Sequence, residues 1–65
     1  MDQAEKTAIK RALEDRGFTL KKAALDGGFS GDSGRAALHR PEQFPGVLQH
    51  MAHIIETKPP LSGGR

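Results

Sequence analysis

The stretch Thr19-Leu20-Lys21-Lys22-Ala23-Ala24-Leu25-Asp26-Gly27-Gly28-Phe29-Ser30-Gly31-Asp32-Ser33-Gly34-Arg35-Ala36-Ala37-Leu38-His39-Arg40 decides the fold of this chain. Thr19 has the side chain of a helix N-cap, and the helix it opens, residues 20–26, stops at Gly27-Gly28 because paired glycines are unfavourable inside a helix and easy in a turn. Beyond Phe29, Ser30 can cap another short helix. Pro41 limits that helix to about His39, since the residue before a proline avoids helical angles. Two short helices about a glycine turn make the supersecondary unit whose second helix enters the DNA major groove. Counted from Gly28, the small side chains of Ala23 and Ala24 let the helices approach, Phe29 plugs the turn, and Ala37 and Leu38 face inward.

That register leaves Ser30, Gly31, Asp32, Arg35, Ala36 and His39 facing outward, the positions expected to meet base edges. Arg35 can pair bidentately with guanine, Asp32 can accept from the cytosine amino group, and Ala36 can touch a thymine methyl. Asp32 has a second role open to it, as a favourable negative charge at a helix start. Thr19, Lys21, Lys22 and Ser33 lie near helix starts, where backbone N–H groups and cationic side chains favour phosphate, and Arg40 reaches the backbone at the other end.

Charge distribution agrees. The 65-residue chain carries a formal net charge of +2, and residues 19–40 hold four basic against two acidic side chains, so the remainder sums to zero. A chain this short has one domain and little core, and without cysteines it has neither disulfides nor thiolate metal sites to reinforce it. Helix packing must supply its stability. No apolar run approaches the roughly 20 residues that span a bilayer, and Met1–Glu5 lack the character of a signal peptide, so a cytoplasmic, nucleoid-associated protein is expected.

The flanks complete an all-α domain over residues 1–57. Asp2 and Glu5 stand at capping-box spacing, Ala8, Ile9, Ala12 and Leu13 recur on one helix face, and Gly17 is placed to end a first helix of about residues 3–16. Pro45 at a first-turn position, followed by Val47, Leu48, Met51, Ile54 and Ile55, marks a fourth helix to about residue 57. Residues 58–65 have neither period nor enough apolar content to fold, and a flexible tail is expected there.

Ile9 to Pro41 resembles the Ner-like family of phage and bacterial transcription regulators. The likeness is carried by Ile9-Lys10-Arg11-Ala12-Leu13, Arg16-Gly17-Phe18-Thr19-Leu20, Gly28-Phe29-Ser30 and Ala37-Leu38-His39-Arg40-Pro41, with gap-free spacing from the turn glycine to the arginine-proline pair. The resemblance implies a compact lambda-repressor-like domain of four or five helices. It also implies sequence-specific binding of double-stranded DNA in transcription regulation, with no catalytic residue, metal or cofactor. The chain departs from the family pattern at Gly34, where an apolar inward residue is expected, and at Asp32, where a small neutral one is usual. Gly31 and Gly34 each weaken a helix by up to about 1 kcal/mol. The third helix is therefore expected to be marginal when free and better ordered on DNA.

Two other readings have residues behind them. His50 and His53, three apart, with His39 as a third ligand, make a weak case for a metal site; no cysteine or carboxylate completes the set, and solvated side chains on the face opposite Leu48, Met51 and Ile55 account for them better. The fourth helix's apolar stripe can pack as core, or dock a second copy of the chain or RNA polymerase as a protein-interaction module. A serine–histidine hydrolase is excluded for want of a buried acid, a nucleophile turn or a pocket-sized core.

Overall fold

The computed structural model describes residues 2–61, and Met1 and residues 62–65 lie outside the described residues. Those residues form four α-helices and no strand: α1 (Gln3–Glu14), α2 (Leu20–Asp26), α3 (Gly31–His39) and α4 (Pro45–Thr57).

The first two helices end by the same device. Gly17 (φ 81°) and Gly28 (φ 83°) take left-handed angles that only glycine adopts without strain. After α1, the Phe18 N–H reaches the Leu13 carbonyl at 2.9 Å and the Gly17 N–H reaches Glu14 at 3.0 Å. After α2, Phe29 and Gly28 bond to Ala24 and Leu25 at 2.9 and 3.0 Å. These are paired Schellman bonds, and each throws the following phenylalanine back onto the core. Gly17-Phe18-Thr19 and Gly28-Phe29-Ser30 thus do one job twice, ending a helix, packing an aromatic ring and opening the next helix. The first of these turns takes up Asp15–Gly17, which is why α1 ends at Glu14 and not near Arg16.

Only one of the expected side-chain caps forms. Thr19 Oγ1 accepts from the Lys22 N–H at 3.1 Å. Asp2 and Ser30 occupy N-cap positions with extended backbone, yet neither side chain accepts from a backbone N–H of its helix; Ser30 Oγ instead pairs with the Ser33 hydroxyl at 2.8 Å. Replacing an N-cap threonine by alanine removes about 1 kcal/mol. Thr19→Ala should therefore lower the thermal midpoint by about 4–8 °C. Calorimetry reads this directly, and Ser30→Ala, which breaks no cap bond, should move it less.

The helix pair α2–α3 meets through residues with almost no side chain. Ala23, Ala24 and Ala37 are fully covered, and Gly34 is buried at the crossing. A Cβ built on Gly34 would fall against the Leu20 backbone carbonyl, 2.7 Å from its carbon, and 3.4 Å from Ala24 Cβ. Gly34, where the resembled family has an apolar inward residue, is itself inward, and the backbone of α2 occupies the place a side chain would take.

The apolar stripe of α4 is core. Val47, Met51 and Ile54 are buried with Leu13 of α1 and the alanines of the central pair, while Leu48 and Ile55 pack against them. Each large side chain so buried contributes about 1.5–3 kcal/mol. Pro45 takes the first helical turn, as its missing N–H allows. Ala8, expected on the buried face of α1, is exposed, and contact narrows to Ile9, Ala12 and Leu13. Arg16 ties the two outer helices, donating from Nη1 to the Ala12 carbonyl at 2.7 Å and from Nε to the Lys58 carbonyl at 2.8 Å. Leu61 N–H bonds to the Asp15 carbonyl at 2.6 Å. Residues 58–61 of the segment expected as a tail therefore touch the end of α1.

Candidate nucleic-acid interface

The face of α3 away from the core carries Asp32, Arg35, Ala36 and His39, spaced by three and four residues and so aligned on one side of the helix. Asp32, Arg35 and His39 are exposed and Ala36 is half-buried, whereas Gly34, Ala37 and Leu38 on the other side are buried. The stripe borders a solvent-open groove of about 710 Å³ between α3, the start of α2 and the flank of α1.

Of the expected base-contacting residues, the groove gathers Gly31, Asp32, Arg35, Ala36 and His39; of the expected phosphate-contacting residues it gathers Thr19, Lys21 and Arg40. Ser30, Ser33 and Lys22 lie outside it. Gly31 is screened: a Cβ there would stand 2.7 Å from Lys21 Cγ, so the lysine's aliphatic stem covers this glycine. The rotation of about 100° between consecutive helix positions turns Lys21 toward the groove and its exposed neighbour Lys22 away from it.

Three groove residues were not among those expected: Lys10 and Glu14 from α1, and Leu20. The groove thus holds four permanent cations, Lys10, Lys21, Arg35 and Arg40, against the carboxylates of Glu14 and Asp32. Among the described residues the one contact within 4 Å between an acidic and a basic side chain is His50–Asp26, outside the groove, so none of the four cations has an anionic partner at that distance. Unpaired guanidinium and ammonium groups keep all their donors for an anion.

One of the two histidines of α4 departs from its expected solvated state. His53 is exposed, but His50 is half-buried, its Nε2 lying 2.9 Å from Asp26 Oδ2 and its ring 2.7 Å from where a Gly27 Cβ would stand. It braces the turn between α2 and α3 from α4. Among the described residues no group of three His, Cys, Asp or Glu side chains is placed to hold a metal ion, and no helix is long and apolar enough to cross a membrane.

No protein-family model, curated protein or solved structure matches this chain. The groove and its charges therefore carry the functional argument.

Proposed function

We propose that this protein is a sequence-specific double-stranded DNA-binding regulator of transcription, with a helix-turn-helix formed by α2 and α3 in a lambda-repressor-like, Ner-like domain. One observation carries this reading: the exposed stripe Asp32, Arg35 and His39 shares a groove with cations that have no protein partner. The nine-residue α3 is, like any α-helix, about 10–12 Å across with its side chains, and the duplex major groove, about 12 Å wide, admits it. Arg35 reads guanine, Asp32 accepts from cytosine, and Ala36 and His39 touch the neighbouring bases. Lys21 and Arg40 at either end of the stripe hold phosphates, with Thr19, Lys22 and Ser33 adding contacts at the edges, and so set the register. Docking of a second copy or of RNA polymerase through α4 has no comparable support, because its apolar stripe is spent in the core.

The test is selection of bound duplexes from a random pool, followed by titration of the enriched duplex at several salt concentrations. An enriched motif with an affinity that falls steeply with salt is the expected result, and two-fold symmetry in that motif would report a dimer on DNA. Failure to enrich any sequence while binding remains salt-dependent would reduce the reading to non-specific binding.

A further inference from the structure

By sequence, the first 17 residues look electrically neutral, with Lys6, Lys10, Arg11 and Arg16 against Asp2, Glu5, Glu14 and Asp15. In space these charges are sorted by face. Lys6, Lys10 and Arg11 line a second cavity, of about 430 Å³, between α1 and the C-terminal half of α3, where they face Arg35 and His39. Of the four carboxylates only Glu14 lines it. Lys10, Glu14, Arg35 and His39 border both this cavity and the groove, so the basic surface runs without a break from α3 onto α1.

Lys6 and Lys10 stand one helical turn apart, the spacing at which like charges repel and weaken a helix. Among the described residues neither they nor Arg11 forms an ion pair. Asp2 and Glu14, each four residues from one of these lysines, offset part of that repulsion; an anion bound beside Arg35 would offset the rest.

We infer that α1 is a third DNA-contacting element, in which Lys6 and Lys10, with Arg11 at the edge, hold sugar-phosphate backbone beside the base pairs read by α3, while Glu14 weakens that grip. This inference rests on the DNA-binding reading above. The side chains act as point charges on phosphate and carry no base preference, so their effect is uniform across sequences and strongly dependent on salt.

The experiment compares wild type, Lys6→Gln/Lys10→Gln, Glu14→Gln and, as a control cation outside both cavities, Lys58→Gln, each with the selected duplex and with an unrelated one at 50–200 mM salt. Loss of two phosphate contacts lowers the slope of log affinity against log salt by about 1.8, so the deficit of the double variant shrinks roughly tenfold across that range. The loss is expected on both duplexes alike. Glu14→Gln is expected to tighten both several-fold, a gain that misfolding cannot produce, and Lys58→Gln to leave the slope unchanged. Wild-type binding with the same slope in the double variant and no gain in Glu14→Gln would overturn the role of α1 alone. Absence of duplex binding by wild type would overturn the DNA reading and this inference together.

Discussion

Gly34→Ala is expected to destabilise the protein, although alanine is the better helix former. In a helix interior the exchange should be worth about 1 kcal/mol in alanine's favour. Against this stands the Leu20 carbonyl, part of the α2 backbone, into which the new methyl group would project. Overpacking of a tight site costs about 1–3 kcal/mol and sometimes more, and backbone yields less easily than a flexible side chain, so the upper end applies. The net loss is about 2 kcal/mol, which in a domain of this size lowers the thermal midpoint by roughly 8–16 °C. Gly31→Ala supplies the contrast, because the atoms it meets belong to the mobile Lys21 stem. It should cost less than Gly34→Ala, since a side chain and not a backbone must shift. Thermal unfolding of both variants decides the matter: a midpoint for Gly34→Ala at or above wild type would show that α2 and α3 do not approach as closely as described.

The second large effect concerns recognition. Arg35 is exposed, unpaired and central in the stripe of α3, so Arg35→Ala removes donors without opening the core. A bidentate arginine–guanine pair is worth about 1–3 kcal/mol of discrimination. The variant should bind the selected duplex roughly 5- to 150-fold more weakly while tolerating any base at one position, with helix content and thermal midpoint unchanged. Lys21→Ala, by contrast, should weaken all duplexes about equally and flatten the salt dependence by about 0.9. Identical behaviour of these two variants would remove the division between base reading and backbone holding.

The contrast between Gly31 and Gly34 shows where sequence reasoning ran out. Both are poor helix formers, and propensity is a local quantity that treats them alike. Whether a backbone from elsewhere fills the space beside one of them depends on the crossing of α2 and α3, which emerges only when Ala23, Ala24 and Ala37 are packed. The helix bounds were legible for the opposite reason. Thr19, Gly27-Gly28, Pro41 and Pro45 act on their own neighbours, and α2 begins and ends, α3 ends and α4 begins where those residues require. The outward stripe of α3 followed from helical period alone. The cations of α1 escaped notice because a sum over a segment cancels charges that a helix separates onto different faces, and Lys10 meets Arg35 across a cavity that no local pattern encodes. His50 likewise reads as a surface residue on its own helix and acquires its partner only from the end of α2.

The inward side of α3, Gly34, Ala37 and Leu38, has almost no freedom to change, whereas Asp32, Arg35 and His39 take no part in the core. Heritable variation at these outward positions thus leaves the core untouched, the helix-start charge of Asp32 being a local tie to stability. Under the proposed DNA reading, a lineage carrying this domain can exchange one target for another in single steps, without passing through unfolded intermediates, and a designer can treat residues 32, 35 and 39 as a cassette on a fixed frame.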